Sequence, residues 1–116
     1  MIKGIGIDIV DIDRIAKILE NKPRFARRIL TENEYHRFEE LSGRRQAEFL
    51  AGRFACKEAF SKAWGTGIGK VGLQDIEVLN NEFGAPVMTF SPHVGKVFVS
   101  ISHTDTLATA QVLLEE

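Results

Sequence analysis

Charged side chains stand in a helical stretch of the sequence that is otherwise apolar or small. Residues 49–64 carry Arg53, Lys57, Glu58 and Lys62. At about 100° per residue, apolar and small groups occupy most of the circumference of this helix, so we expect it to be largely buried. A buried charge is costly unless it is paired or bound to a ligand. These four side chains therefore need partners.

The sequence offers two explanations for these charges. Glu58 and Lys62 lie four residues apart and could form an ordinary helix ion pair worth about 0.3–0.5 kcal/mol. Arg53 and Lys57 could then extend their charged ends to the edge of the helix. Alternatively, the like charges could surround a bound polyanion, or phosphates beside a metal on Glu58. Spacing alone leaves both explanations open.

Asp8 is the best candidate for a second metal carboxylate. It interrupts an apolar strand between Ile7 and Ile9. Mg²⁺ typically takes one or two protein carboxylates together with waters and phosphate oxygens. Asp8 and Glu58 could form such a pair, although Asp8 could equally be a capping or turn residue.

Other potentially reactive residues give weaker signals. Cys56 falls in the small-residue stripe of the helix, which predicts a packing role. His103 ends a predicted strand and could face a cleft. The glycines at 65, 67 and 69 close a helix, whereas a phosphate-binding glycine loop opens one. No nucleophile with an adjacent base is recognisable.

Composition excludes several classes of protein. The 116 residues predict one domain, and the 44% hydrophobic and 27% charged content is typical of a globular protein. A net charge of −1 gives no indication of a nucleic-acid or membrane partner. The single cysteine fits a reducing compartment, and the aspartate-containing N-terminus does not resemble a secretory signal, so we expect a cytoplasmic protein.

Charge is nevertheless concentrated locally. Between Arg14 and Arg28 there are six basic residues and one acidic residue. Such a segment in a nearly neutral chain indicates either a solvated face or a docking surface for an acidic partner.

The apolar periodicity predicts an α+β fold with a mostly antiparallel sheet packed against helices. Asp11 and Thr31 are expected to cap two helices, and Pro23 to end the first of them or to start the next short turn. The predicted helices run from residue 12 to Pro23, from Thr31 to Leu41, and from Arg45 to Trp64. The predicted strands are 2–9, Asp75–Leu79, Pro86–Phe90, Lys96–Ser102 and Leu107–Leu114.

Four motifs occur in a specific order: "GIGIDIVDIDRI", "EFLAGRFACKEAFSKAWGTGIG", "GAP" and "VSISHT". Over essentially the whole chain, the sequence resembles the 4'-phosphopantetheinyl transferases, in particular their small bacterial class, the holo-[acyl-carrier-protein] synthases. The resemblance implies a single transferase domain over residues 1–116, assembled as a homotrimer. It implies transfer of 4'-phosphopantetheine from coenzyme A to a serine of apo acyl carrier protein in fatty acid biosynthesis, with Mg²⁺ as cofactor.

The resemblance also assigns roles to residues. It implies that Asp8 and Glu58 hold Mg²⁺ and that Lys62 joins them in catalysis, while the base that takes the serine proton is left open between Asp8 and a water on the metal. The implied coenzyme A contacts are Arg53, Lys62, Gly65, Pro86, His103 and Thr104, with Pro86 supplied by a neighbouring subunit.

The basic segment would dock the acidic carrier protein. The implied carrier contacts are Arg14, Ile18, Arg24, Phe25 and Arg28. Two positions depart from the family pattern: Ala85 stands where a lysine is more frequent, and Asn21 stands where other members often carry arginine.

Two other functions use the same residues. A Mg²⁺-dependent phosphohydrolase would need Asp8 and Glu58 but no acceptor protein. A non-catalytic binding module would need only the basic segment and an acidic partner.

Overall fold

In the computed structural model, which describes residues 1–116, one strand is followed by four helices and then by four strands. The elements are β1 Ile2–Asp11, α1 Ile12–Asn21, α2 Phe25–Ile29, α3 Glu32–Glu40, α4 Arg44–Trp64, a short 3-10 helix Leu73–Asp75, β2 Glu77–Asn80, β3 Pro86–Phe90, β4 Lys96–His103 and β5 Leu107–Glu115. The predicted α+β class is confirmed.

The strands form two antiparallel sheets rather than one. The larger sheet has the order β1-β5-β4, and the smaller one pairs β2 with β3. In the larger sheet Asp8 lies opposite Ala110, which in turn lies opposite Ile101. The strand predicted from Asp75 begins later, at Glu77, because residues 73–75 turn as a 3-10 helix.

The helix starts follow the capping signals in the sequence. The Asp11 carboxylate accepts a hydrogen bond from the backbone N–H of Arg14, which starts α1. Thr31 and Glu34 form a reciprocal capping box at the start of α3. The short helix α2 was not predicted, because its five residues are too few to show a helical period.

Helix α4 is the centre of the molecule, with 12 of its 21 residues buried. The larger sheet packs on one side of it and α1–α3 pack on another, so the prediction of a largely buried helix is confirmed. Cys56 is fully buried there, and burial raises the pKa of its thiol to about 12, in agreement with a packing role. None of the four helices combines the length and apolar character needed to span a membrane.

Two glycines let β1 lie directly on α4. A Cβ atom at Gly6 would fall 1.9 Å from the carbonyl oxygen of Ala59, and one at Gly4 would fall 2.0 Å from that of Ala63. Alternate residues of a strand share a face, so Asp8 continues the face formed by Gly4 and Gly6 toward α4. The close approach therefore brings Asp8 to the helix that carries Glu58.

We predict that Gly6→Ala destabilises the fold by about 3 kcal/mol, because the added methyl group would overlap backbone that cannot move independently. Gly52→Ala is the matched control. Its methyl group would meet only the flexible side chain of Ile101 at 3.1 Å, and alanine favours a helix by about 1 kcal/mol. Urea unfolding measures both variants, and equal loss of stability would contradict the proposed close approach.

Candidate active site

Asp8 and Glu58 line the same cavity, which has a volume of about 440 Å³. Asp8 reaches it from the inner face of β1, and Glu58 from one side of α4. Arg14, Ile18 and Phe25 line this cavity as well. The structure thus brings together both predicted metal carboxylates and three of the predicted carrier contacts.

Lys62 bonds to β1 rather than to its helix neighbour. Its Nζ lies 3.0 Å from Asp8 Oδ1 and donates to the carbonyl oxygen of Ile7, also at 3.0 Å. The ordinary Glu58–Lys62 helix pair considered from the sequence is absent. The carboxylate of Glu58 consequently has neither a hydrogen-bond donor nor an ion-pair partner in the structure.

The electrostatics of this pair suit a divalent cation. Burial raises the pKa of Glu58, repulsion from Asp8 raises it further, and Lys62 opposes both effects. The structure contains no group of three or more acidic, histidine or cysteine side chains placed to hold a metal ion. Two carboxylates on one open cavity fit Mg²⁺, which usually keeps waters and takes phosphate oxygens as its remaining ligands.

Lys57 and Arg53 face away from this pair and are bound internally. Lys57 is fully buried, with its Nζ 2.6 Å from Glu34 Oε1 and 2.8 Å from the carbonyl oxygen of Ile29. Burial lowers the pKa of Lys57, and Glu34 opposes that effect. Of the two explanations left open by the sequence, the one in which these side chains extend to the helix edge is wrong, because α2, α3 and β2 cover this side of α4.

Arg53 clamps β2 and borders a second cavity. Its Nε donates to the carbonyl oxygen of Val78 at 3.1 Å, and its Nη2 donates to Asn80 Oδ1 at 2.5 Å. The guanidinium also lies over the ring of Phe49, 4.4 Å from its centroid. These contacts fix the orientation of Arg53, and its role in binding coenzyme A stays a prediction.

The second cavity, of about 240 Å³, is basic. Arg53 and His103 line it together with Arg37 and Arg45, two residues that the sequence reasoning missed. The available signal was Arg45 itself, since it lies in the first turn of α4, where the helix dipole disfavours a cation. Three arginines that line one cavity could bind an anion.

The remaining predicted coenzyme A residues lie outside both cavities. Gly65 ends α4 with a φ of 87°, and its N–H donates to the carbonyl oxygens of Ser61 and Lys62. Pro86 opens β3 opposite Asn80. Thr104 is exposed in the β4–β5 turn, where its hydroxyl accepts from the N–H groups of Thr106 and Leu107. The roles of these three residues stay predictions.

The basic segment forms a surface next to the carboxylate cavity. Arg24, Phe25 and Arg28 line a further cavity, and Phe25 also lines the cavity that contains Asp8 and Glu58. Arg27 is turned the other way, with its guanidinium 3.9 Å from the centroid of the Tyr35 ring. All five predicted carrier contacts therefore lie on one continuous surface that reaches the carboxylates.

Comparison with known proteins identifies the class. The family model of the 4'-phosphopantetheinyl transferase superfamily matches residues 4–113, and the chain belongs to that superfamily. A relative from Enterococcus faecalis, named holo-[acyl-carrier-protein] synthase, is 68% identical over 115 residues, which are 99% of this chain and 98% of the relative. The family predicted from the four motifs is confirmed.

Solved structures support the same assignment. A holo-(acyl-carrier-protein) synthase from Bacillus anthracis in complex with CoA (3',5'-ADP) has 53% identity and a TM-score of 0.91, and the match covers 98% of this chain and 96% of that one. The Helicobacter pylori holo-[acyl-carrier-protein] synthase in complex with coenzyme A has 35% identity and a TM-score of 0.84, over 96% and 99% of the two chains.

We predict that Glu58→Gln raises the melting temperature at pH 7–8. The pKa of Glu58 is higher in the folded chain than its ordinary value of 4.5, so the native state binds more protons between these two pKa values. Stability therefore falls as pH rises through this window. Above it, the wild type is destabilised by the full free-energy cost of keeping the ionised Glu58 carboxylate half-buried and near Asp8. The difference between the two proteins should shrink to nothing below about pH 4.

Calorimetry from pH 3 to 8 without divalent ions measures this effect, with Glu39→Gln on exposed α3 as the control. A wild type that is more stable than Glu58→Gln at pH 8 would contradict the unpaired carboxylate. Added Mg²⁺ should stabilise the wild type and leave Glu58→Gln almost unchanged.

Proposed function

We propose that this chain transfers the 4'-phosphopantetheine group of coenzyme A to a serine of apo acyl carrier protein, as a holo-[acyl-carrier-protein] synthase. The observation that carries the proposal is the single cavity that joins Asp8 and Glu58 to Arg14, Ile18 and Phe25. It places carboxylates suited to a metal beside a basic and apolar docking surface. The chain's own membership of the transferase superfamily supplies the reaction class. Location in the cytoplasm stays a prediction.

In the reaction, the acceptor serine oxygen attacks the phosphorus that carries pantetheine. The bond from that phosphorus to the bridging oxygen of the pyrophosphate breaks, and adenosine 3',5'-bisphosphate leaves with the bond electrons. The serine proton passes to a base in the cavity, for which Asp8 is this chain's candidate. The nucleophile belongs to the partner, which accounts for the lack of a nucleophile with an adjacent base in the sequence.

Asp8 and Glu58 would hold Mg²⁺. When bound, this ion neutralises the charge that develops on the pyrophosphate as the phosphoanhydride breaks. Lys62 holds Asp8 in place through the 3.0 Å contact, and its exposed ammonium is available to the phosphates. Positioning and charge stabilisation account for most of the catalysis in phosphoryl transfer.

The arginine cavity is a suitable site for the nucleotide end of coenzyme A, which carries a 3'-phosphate. Arg37, Arg45 and Arg53 present three guanidinium groups there, and His103 lines the same cavity. Guanidinium groups match the planar geometry of phosphate oxygens and bind them with paired hydrogen bonds.

We further propose that the protein is a homotrimer with its active sites between subunits. Ile5, Ile7 and Ile9 project from β1 away from α4, and each is about 60% exposed. Across the sheet, Ile5 lies opposite Leu113, which lies opposite the exposed Phe98. An apolar patch that crosses three strands is typical of a protein interface.

The two cavities support a shared site. Asp8 and Glu58 line one of them, whereas Arg53 and His103 line the other, and no residue is common to both. Coenzyme A would need both sets of residues, and two subunits packed through the outer sheet face could supply one set each.

We predict that incubation with apo acyl carrier protein, coenzyme A and Mg²⁺ raises the intact mass of the carrier by about 340 Da, the mass of one phosphopantetheine group, through metal-assisted transfer. EDTA or Glu58→Ala should abolish the gain, while Glu39→Ala should retain it. Cleavage of coenzyme A without a mass gain would favour the phosphohydrolase. Intact coenzyme A with the carrier bound would favour the binding module.

We predict that Ile7→Lys prevents assembly, because it places a charge in the apolar outer face of the sheet. Sedimentation equilibrium should give three times the 13.0 kDa chain mass for the wild type and the mass of one chain for the variant. Val94→Lys, which alters a fully exposed loop residue outside the sheet, is the matched control. A monomeric wild type, or a trimeric Ile7→Lys variant, would contradict this interface.

A further inference from the structure

Helix α2 is too short to hold its own position. It has five residues, Phe25–Ile29, and no side-chain hydrogen bond caps its N-terminus. Isolated helices of this length are unstable in water, and the last carbonyl groups of any helix lack partners within it. The position of α2 must therefore be set by groups from other elements.

Two side chains from elsewhere bind the carboxyl end of α2. Lys57 Nζ donates to the carbonyl oxygen of Ile29 at 2.8 Å. Gln74 Nε2 donates to the carbonyl oxygens of Arg27 and Leu30, at 2.7 and 3.1 Å. These carbonyl groups at the end of the helix thus accept hydrogen bonds from α4 and from the 3-10 helix.

Lys57 is itself held rigidly. Its partner Glu34 also accepts from the N–H of Thr31 at 2.9 Å and from the N–H of Val78 at 2.7 Å. Both charged side chains are completely buried, so neither can exchange its partner for water. Since Lys57 precedes Glu58 in α4, the same contact fixes the distance from α2 to the helix of the metal carboxylate.

We propose that Lys57 and Gln74 are positioning residues for the docking of acyl carrier protein. They fix α2, which presents Phe25 and Arg28, relative to Asp8 and Glu58. Neither residue lines the carboxylate cavity or the cavity of Arg24 and Arg28, so both act through α2 rather than by touching the carrier. The inference rests on the proposed function, because it takes the surface of α2 as the carrier site.

The effect on the reaction follows from geometry. Transfer requires the acceptor serine oxygen to approach phosphorus closely, and a shift of about 1 Å can cost a large factor in rate. A loosened α2 would weaken the encounter with the carrier and leave the coenzyme A site intact. The Michaelis constant for the carrier should therefore respond, and the constant for coenzyme A should not.

Gln74→Ala tests the inference without leaving a buried charge unpaired, because Gln74 is neutral and exposed. The expected result is a rise of about three- to tenfold in the KM for apo acyl carrier protein, as expected for lost hydrogen bonds, with the KM for coenzyme A within about twofold of wild type. Gln46→Ala is the matched control. It removes the same kind of bond, to the carbonyl oxygen of Phe38 in α3, and should leave both constants near wild type.

The double variant Lys57→Met with Glu34→Gln tests the buried contact, in which Lys57 binds the carbonyl oxygen of Ile29. It removes both charges and leaves no unpaired ion, so the fold should survive. The same rise in the carrier KM is expected. A purely structural role would instead lower the active fraction, and with it kcat, without separating the two Michaelis constants.

The outcomes distinguish the two proposals. If the wild type transfers phosphopantetheine but Gln74→Ala keeps a normal carrier KM, or raises both constants equally, the positioning role is overturned and the function stands. If the wild type transfers nothing to the carrier, the proposed function fails and the positioning role fails with it.

Discussion

The contact of β1 with α4 is the constraint from which the site follows. Gly4 and Gly6 allow the strand to lie against the helix backbone at a distance that no side chain would permit. Asp8 is the next residue on the same face, so it meets the helix where Glu58 projects. Lys62, one turn further along α4, then bridges back to Asp8 and to the carbonyl oxygen of Ile7.

A charged side chain on a helix that is buried on most sides needs a partner. In α4, Arg53 and Lys57 have partners within the chain, whereas Glu58 does not. Arg53 and Lys57 bind Val78, Asn80, Glu34 and Ile29, which join α4 to β2, α2 and α3. Removing one member of a buried ion pair such as Glu34–Lys57 typically costs about 3–5 kcal/mol. Glu58 has no such partner, and the repulsion between it and Asp8 is the charge imbalance that a divalent cation would relieve.

Local signals in the sequence were sufficient for α1, α3 and α4, but not for the five-residue α2. The Thr31–Glu34 capping box, the Asp11 cap and the buried character of α4 were all predicted and are all present. The partners of Arg53 and Lys57 could not be predicted, because Glu34 and Val78 are more than 20 residues away and no local pattern connects them. The same limit explains why the β2–β3 hairpin was not recognised as a separate sheet, since strand pairing depends on contacts distant in sequence.

The candidate site was predictable to a similar extent. The interruption of an apolar strand by Asp8 and the crowded charges near Glu58 indicated the carboxylate pair, and the four motifs selected it. Arg37 and Arg45 were missed because they lie on different helices, and only folding brings them to the cavity of Arg53 and His103.

The most direct test of this account is a crystal structure of the protein with coenzyme A and Mg²⁺. We expect a metal with carboxylate ligands from Asp8 and Glu58 at about 2.1 Å, while Lys57 stays bonded to Glu34 and Ile29. Two results would contradict this expectation: a metal bound elsewhere, or a Lys57 side chain that has left Glu34 to bind phosphate. Either would show that the charges of α4 are not divided between Lys57, which stabilises the fold, and Glu58 and Lys62, which act in catalysis.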